Sequence, residues 1–438
     1  MTSKRKTLIS RLTCILFVMV LCFAPVTAFA DPPYSSGTDY DNPATAAITK
    51  IFKMPADVDT PTATFSFAFT AVDFNEQGTA GMKTIAPAAL TFGEVPDTGT
   101  IFVNGDVRSV VKEVSMFSGL PSDPWANGEG IYRYQVEESV ALSSITSPGR
   151  VNEGTEFSVA KYDIEFWVER DSNGLFVKYV QAKKVVGYID EYYDGYPGDD
   201  KVDPTEGGVN TLTEVTIEDD FSQVIFTNKY WGSDGGGDPD PEDAAFAVNK
   251  VVTGNGAVLT DTFDFNVTVT QPSLITQAQT YKAYVQELVS GTWTNVGSLI
   301  TFASGVQQTG ITLTNGQRLA FIDLHVAAKV EVWEDASANY TPKYSRTFAN
   351  GTAVTPPVYT GSKNSDWGFP RDPGDAGPHI IPSGTNVNIA TFTNMATDIP
   401  PSGISVDNLP FVLMIAIGFI ALGGFIALKS RRRTGTEV

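Results

Sequence analysis

Six residues of three types recur in the same order in the two halves of the chain, and together they could form covalent bonds between strands. Each half carries a lysine near its start, a glutamate in its middle and an asparagine near its end: Lys50, Glu138 and Asn228, then Lys250, Glu334 and Asn394. A lysine amine that burial keeps neutral can attack an asparagine side-chain carbonyl, while a protonated glutamic acid polarises that carbonyl and moves protons. Ammonia leaves, and the product is a Lys–Asn amide that forms once per molecule.

The elements that must position these residues are strands. Apolar and polar residues alternate with period two over short runs, as in 65–69, 132–136 and 263–269, with Gly, Pro, Asn and Asp between the runs. This pattern is typical of half-buried antiparallel strands, and no long amphipathic helix stands out between the two ends of the chain. The sequence therefore predicts an all-β fold of two tandem immunoglobulin-like β-sandwich domains.

The local contexts of the six residues also repeat, which indicates an internal duplication. Each lysine lies in an apolar run, at 46–52 and at 246–252. Each glutamate ends an alternating run, at 132–138 and at 330–334, and each asparagine ends a Phe-Thr-Asn triplet, at 226–228 and at 392–394.

Side-chain parity predicts that the six residues face the interior. Residues two apart in a strand share a face, so Lys250 lies on the side of Phe246 and Val248, and Asn228 lies on the side of Phe226. Each glutamate likewise follows apolar residues of its own face. A buried lysine is costly unless it is paired or neutral. The alternatives to the cross-link are a buried salt bridge capped by an amide, or exposed residues at strand ends.

The domain boundaries follow from composition and spacing. A Gly/Asp/Pro-rich segment at 232–243 predicts a linker between a first domain at 31–231 and a second at 244–395. The lysine and asparagine of the first half are 178 positions apart and those of the second half 144, so an insertion is expected in the first domain. The candidate is 187–208, which is rich in tyrosine and acidic residues and is interpreted as a solvated loop or, alternatively, as a calcium site.

The first 30 residues predict a secretory signal peptide. Four basic residues precede an apolar run at 12–23, and Ala28-Phe29-Ala30 matches the small-x-small cleavage pattern. Both cysteines, Cys14 and Cys22, fall in this leader. The mature protein is therefore expected to have no disulfide, thiol nucleophile or cysteine zinc site.

The last 43 residues combine three features. The pentapeptide Ile399-Pro400-Pro401-Ser402-Gly403 precedes an apolar run at 409–428 and a basic cluster at 429–433. Twenty uncharged residues are long enough to cross a bilayer as a helix, with the basic end on the cytoplasmic side. An ordinary transmembrane anchor after a Pro-rich stalk is the alternative.

These three features resemble the cell-wall sorting signal of Gram-positive surface proteins, Leu-Pro-x-Thr-Gly followed by an apolar span and a basic tail, with Ile399 for Leu and Ser402 for Thr. Together with the duplicated triplets, the chain resembles the isopeptide-containing, sortase-processed pilins of the streptococcal T-antigen major pilin type. The resemblance implies that Lys50–Asn228 and Lys250–Asn394 are isopeptide bonds promoted by Glu138 and Glu334.

The resemblance also implies the partners and the location. A sortase would form an acyl-enzyme with the carbonyl carbon of Ser402 and release 403–438. It would then join the chain to another pilin subunit or to peptidoglycan at the cell surface, so that the membrane holds it only before cleavage. A host surface ligand is a further candidate partner. The chain lacks the Tyr-Pro-Lys motif of pilins. The segment Tyr340-Thr341-Pro342-Lys343 is only partly similar to that motif, because a threonine separates its tyrosine from its proline. A monomeric wall-anchored adhesin, with the same domains as a stalk, is the alternative function.

Composition excludes other classes of function. The formal net charge of −20 argues against nucleic-acid binding, which requires basic residues to neutralise phosphates. The two histidines have no serine or cysteine motif near them, and the chain has no phosphate-binding loop or dinucleotide fingerprint. We therefore expect no cofactor, no metal and no enzymatic activity beyond autocatalytic cross-linking, and a secreted enzyme is the least supported reading.

Overall fold

The structure is a computed structural model that describes residues 34–93, 99–146, 151–186, 201–207, 221–233, 244–348, 358–369, 378–382, 387–396 and 409–433. The predicted signal peptide at 1–30 and the pentapeptide at 399–403 lie outside the described residues. So do 187–200 and 208 of the predicted insertion, which include its acidic cluster, and 234–243 of the predicted linker.

The described residues divide into two compact units, one within Met1–Pro148 and Gly154–Tyr230, the other within Gly149–Glu153 and Trp231–Val438. Apart from a single 3-10 turn at Val140–Leu142 and a C-terminal helix, their regular secondary structure is strand. The prediction of an all-β fold followed by an apolar helix is confirmed.

The first unit contains two sheets, and we describe β9 with it because β9 pairs with β13. An eight-stranded sheet has the order β1-β11-β10-β7-β3-β4, with β12 beside β11 and β8 beside β3, and a five-stranded sheet has the order β5-β6-β2-β13-β9. The strands are β1 (Tyr34–Ser36), β2 (Ala47–Pro55), β3 (Thr62–Phe74), β4 (Ala88–Phe92), β5 (Thr100–Asn104), β6 (Val107–Ser115), β7 (Gly130–Glu138), β8 (Ser144–Thr146), β9 (Val151–Glu156), β10 (Lys161–Arg170), β11 (Leu175–Val186), β12 (Lys201–Val202) and β13 (Ile225–Ser233).

The second unit also contains two sheets. One has the order β17-β16-β20-β14-β26-β22-β23, with β18 beside β16, and the other has the order β19-β15-β21-β24, with β25 beside β21. The strands are β14 (Phe246–Thr253), β15 (Phe263–Thr270), β16 (Thr280–Val289), β17 (Thr292–Asn295), β18 (Ile300–Ala303), β19 (Gln307–Leu313), β20 (Gln317–Phe321), β21 (Lys329–Glu334), β22 (Tyr340–Thr347), β23 (Tyr359–Thr360), β24 (Trp367–Phe369), β25 (His379–Ile380) and β26 (Asn388–Ala396).

Aromatic side chains fill the space between the two sheets of each unit. Phe67 of β3 packs against Phe226 of β13 with ring centroids 4.9 Å apart, and Phe265 of β15 packs against Phe392 of β26 at 5.2 Å. In the second unit these rings belong to an apolar core that also includes Val248 and Val332. Each unit is therefore a sandwich whose interior is built from the alternating residues that the sequence identifies.

The strand that carries the lysine and the last strand of each unit lie side by side in parallel, β2 with β13 and β14 with β26. The glutamate-bearing strands, β7 and β21, belong to the opposite sheet in each case. Because every residue of β2 is buried, both faces of that strand are covered. A side chain on the inner face of β2 or β14 therefore points across the core towards β7 or β21.

Two boundaries of the sequence analysis need correction. Gly232 and Ser233, assigned to the linker, are the last residues of β13. Residues 201–207, assigned to a solvated insertion, belong to the sandwich. Val202 pairs with β11 and is buried, and the amide of Ala47 donates to the carbonyl of Pro204 at 2.9 Å.

The C-terminal apolar segment forms the helix α1 (Leu409–Arg433). Its residues Pro410–Lys429 have a mean hydropathy of 2.7, and this segment is long and apolar enough to cross a membrane. The helix continues into the basic cluster, so the charged residues extend the same element.

Candidate functional site

The first unit brings Lys50, Glu138 and Asn228 together in its core. The ammonium Nζ of Lys50 lies 2.6 Å from Oε2 of Glu138. The side-chain amide of Asn228 donates from Nδ2 to Oε1 of the same carboxylate, also at 2.6 Å. One carboxylate therefore bridges the amine and the amide, with a different oxygen for each.

This cluster is closed to water. Lys50 and Asn228 are fully buried, and Glu138 is 7% exposed. Two rings of β3 cover the amine, since Nζ of Lys50 lies 4.5 Å from the ring centroid of Phe65 and 6.0 Å from that of Phe67. Such surroundings penalise the charged form of the amine strongly, and among the described residues only Glu138 offsets that penalty with an opposite charge.

Burial has a direct effect on the protonation of the lysine. Desolvation lowers the pKa of Lys50 from 10.5 to about 7, although the charge and hydrogen bond of Glu138 act in the opposite direction. A substantial fraction of the amine is then neutral near physiological pH. A neutral amine is the form that can act as a nucleophile.

The second unit assembles the corresponding cluster. Nζ of Lys250 lies 2.6 Å from Oε2 of Glu334, and Nδ2 of Asn394 donates to Oε1 of Glu334. All three residues are at most 2% exposed. Desolvation lowers the pKa of Lys250 to about 8 and raises the pKa of Glu334, which is the direction that favours a neutral pair.

The two clusters share the same strand register. Phe226 is the cross-strand partner of Lys50, and Phe392 is the partner of Lys250, so each asparagine lies two positions beyond its lysine's partner, on the same face. Each glutamate pairs with the second phenylalanine of a Phe-x-Phe strand, at Phe67 and Phe265. Burial, register and contacts therefore recur in two units whose strand orders otherwise differ.

The clusters differ at the carbonyl oxygen of the asparagine. The backbone N–H of Ser158, just beyond β9, donates to Oδ1 of Asn228 at 2.7 Å. Oδ1 of Asn394 is buried and accepts no hydrogen bond from any residue that the structure describes.

These contacts change the role expected for the glutamate in the first unit. The sequence analysis has the glutamic acid polarise the asparagine carbonyl, but Glu138 contacts the amide nitrogen, and the carbonyl oxygen faces the N–H of Ser158. Because a backbone N–H can only donate, this contact fixes which end of the amide is oxygen. Glu138 is placed to move a proton from Nζ of Lys50 to Nδ2 of Asn228.

The structure adds residues that the sequence analysis did not include in the site. The four phenylalanines around the two amines are recognised there only as strand residues: Phe65, Phe67, Phe263 and Phe265. Nζ of Lys250 lies 3.8 Å from the ring centroid of Phe263. Their spacing of two residues, on the strand that pairs with the glutamate strand, is the signal that could have identified them. No sequence signal marks Ser158, because its contact depends on the path of the chain after β9.

Within the described residues, no three His, Cys, Asp or Glu side chains come together as a metal site would require. The acidic cluster that motivates the calcium alternative lies outside the described residues. The predicted cleavage point of the sortase signal does so too.

Part of the second unit matches a known sequence family. Residues 245–361 match the sequence family described as a domain of unknown function, DUF7601. That match includes Lys250 and Glu334 but ends before Asn394. A search of curated proteins found no match.

Solved structures with similarity to the chain include two major pilins of Streptococcus pyogenes and a pilus-presented adhesin. The major pilin is 15% identical with a TM-score of 0.29 over 81% of this chain and 99% of its own. A second, T3.2, is 15% identical with a TM-score of 0.27 over 83% of this chain and 100% of its own. The adhesin is 11% identical with a TM-score of 0.21 over 80% of this chain and 100% of its own. At these values the similarity supports no conclusion about function.

Proposed function

We propose that the chain is a structural subunit of the bacterial cell surface, a pilin whose two domains are each closed by an autocatalytic Lys–Asn isopeptide bond. The observation that carries the proposal is the occurrence of two buried Lys–Glu–Asn clusters in one register. A buried ion pair seldom adds net stability. Two equivalent pairs, each aimed at an asparagine amide, are better explained by a reaction that consumes the lysine and the asparagine.

The cross-link suits a load-bearing or protease-exposed role. It would join the lysine strand to the last strand of each domain, so that tension applied at the two ends of a domain meets a covalent bond. Both cysteines lie in the predicted leader, so these bonds would take the part that disulfides take in other secreted proteins.

The C-terminal segment supports surface attachment. Helix α1 is long and apolar enough to hold the chain in the membrane, and a basic cluster follows it. In our proposal this helix is a temporary anchor. A sortase then cleaves before Gly403 and transfers the chain from Ser402 to an amine of another subunit or of peptidoglycan.

The assembly step is tested by wall extracts of cells that express the chain together with its own sortase. A pilin gives a high-mass ladder after wall digestion, and a variant lacking 399–403 loses it and accumulates as the membrane-anchored precursor. A single wall-linked species without a ladder would contradict the pilin and favour the monomeric adhesin. If wall extracts of the unmodified chain and of the variant lacking 399–403 contained the same species, the proposed sortase step would be wrong.

A further inference from the structure

The side-chain amide of Asn228 is held at both ends, and this feature has a chemical consequence for the first unit. Its nitrogen donates to Glu138, and its oxygen accepts the N–H of Ser158 at 2.7 Å. Ser158 is 9% exposed, and Asn228 is fully buried. The N–H therefore acts in a place without competing water, where a hydrogen bond to a developing charge has its largest effect.

We propose that the backbone N–H of Ser158 is an oxyanion donor for the Lys50–Asn228 cross-link, and that this bond forms faster than the Lys250–Asn394 bond. The inference rests on the proposed function, because it concerns the rate of the reaction that closes each domain. It assigns a role to a residue that belongs to neither Lys–Glu–Asn cluster.

The reaction balances with the groups present. Nζ of Lys50 passes one proton to Glu138 and attacks Cγ of Asn228, and the electron pair of the carbonyl moves on to Oδ1, where the N–H of Ser158 stabilises the negative charge. The pair then returns to re-form the carbonyl while the bond from Cγ to Nδ2 breaks. Glu138 gives its proton to the leaving Nδ2, ammonia departs, and the new amide nitrogen returns its surplus proton to Glu138.

The second unit lacks this assistance among the residues that the structure describes. Oδ1 of Asn394 is buried without a donor. Glu334 is then the one described group that can act on the amide of Asn394, and it must also take the proton of Lys250. Glu334 contacts the nitrogen of that amide, as Glu138 does in the first unit, so no described group of the second unit takes the place of Ser158 at the carbonyl oxygen. A slower reaction is therefore expected.

The test is a time course of cross-link formation in the full chain. The chain is synthesised in a cell-free system and samples are quenched in acid. The Lys50–Asn228 and Lys250–Asn394 junction peptides are quantified after digestion. In the unmodified chain the first junction should appear before the second. Ser158→Pro removes the N–H and should slow the first junction by about 10²–10³-fold, the usual effect of deleting one oxyanion donor.

Ser158→Ala is the matched control, because it keeps the N–H and loses only the hydroxyl, which accepts from Ala160 at 3.3 Å. It should leave the first junction at the unmodified rate. The second junction serves as an internal reference in every variant. If proline at 158 unfolds the first unit, as circular dichroism and proteolysis would reveal, a backbone ester at 158 removes the same N–H without the ring.

The outcomes separate this inference from the proposed function. If Ser158→Pro or the ester, in a folded unit, forms the first junction at the unmodified rate, Ser158 is not an oxyanion donor. If the second junction forms as fast as the first, the predicted order is wrong. If neither junction forms in the unmodified chain, the cross-linking function itself fails.

Discussion

Lys50 and Lys250 hold their amines in the cores of two sandwiches, each against one carboxylate and two phenylalanine rings. A permanently charged pair at such a place recovers its desolvation cost only with difficulty. A pair that reacts removes the problem, because the amide product carries no charge on the lysine and no longer needs a counter-ion. The cross-linking reaction thus explains why lysine, glutamate and asparagine occupy core positions at which apolar residues would pack better.

The proton shuttle is tested by Glu138→Gln. Glutamine cannot take the proton of Lys50, and general acid–base assistance of this kind contributes about 10²–10⁴-fold to a rate. We expect the Lys50–Asn228 junction peptide to disappear from the purified protein while the Lys250–Asn394 junction persists.

Glu137→Gln is the matched control for that substitution. Glu137 is adjacent in β7, is more exposed and pairs with Lys161 on the outside of the sheet. It should leave both junctions intact. A first junction of normal yield in Glu138→Gln would show that the carboxylate has no catalytic role.

The lowered pKa of Lys50 predicts a pH dependence in a chain that cannot cross-link. In Asn228→Ala we expect the amine to keep the pKa of about 7 that burial gives it in the folded unit, against 10.5 in the unfolded chain. Between these values the unfolded state binds more protons, so the free energy of unfolding of the first unit should rise as the pH increases from 7 to 10.

The double variant Lys50→Met/Asn228→Ala provides the reference for that titration, because it lacks the amine and keeps the other charges of the domain. Denaturant unfolding of both variants across the pH range isolates the contribution of Lys50. Parallel stability curves for the two variants would mean that the pKa of the buried amine is not lowered.

At the scale of strands, the site depends on parity and register. Asn228 lies two positions past the cross-strand partner of Lys50, which keeps both on the inner face. The double variant Thr227→Asn/Asn228→Thr moves the amide by one position, and it should abolish the first junction and leave the second unchanged.

The equivalent exchange in the second unit, Thr393→Asn/Asn394→Thr, should have the reciprocal effect and makes each unit the control for the other. Junction peptides and proteolytic resistance of each unit are the measurements. A first junction that forms from position 227 would contradict the register on which the site is built.

The strand pattern explains how far the site could be predicted from the sequence. Alternation around Lys250 and Asn228 is local, so parity alone indicated which residues face inward. Duplication then grouped the lysine, glutamate and asparagine of each half. The contact between Ser158 and Asn228 joins residues 70 positions apart through an irregular turn, and no periodicity encodes it. Parity shows which face of a strand a side chain lies on, but not which end of an amide a carboxylate contacts. It therefore did not reveal that Glu138 contacts the amide nitrogen of Asn228.

The element boundaries show where local composition is insufficient. Gly232 and Ser233 were assigned to the linker because small residues are common in linkers, but they are the last two residues of β13. Val202 and Pro204 lie beside a Tyr/Asp-rich run and were grouped with it, although they are buried against β11 and β2. For Val202 and Pro204, pairing with distant strands decided the conformation.

At the scale of the whole molecule, each cross-link would close almost an entire domain into a loop. A cross-link that closes a loop of more than 100 residues is expected to raise the free energy of unfolding by about 5 kcal/mol, because it reduces the entropy of the unfolded chain. The double variant Glu138→Gln/Glu334→Gln should therefore unfold at a clearly lower temperature and be cleaved faster by proteases than the unmodified protein. Equal thermal transitions would contradict a stabilising role for the bonds.

The central claim is that both buried clusters have reacted, and the intact mass of residues 31–398, produced as a soluble protein, tests it most directly. Our account predicts a mass two ammonias below that of the sequence, with Lys50 joined to Asn228 and Lys250 joined to Asn394 in the digest. A deficit of one ammonia would restrict the chemistry to the unit that the peptide map identifies. A mass equal to that of the sequence would contradict the account and leave two buried ion pairs in an all-β protein.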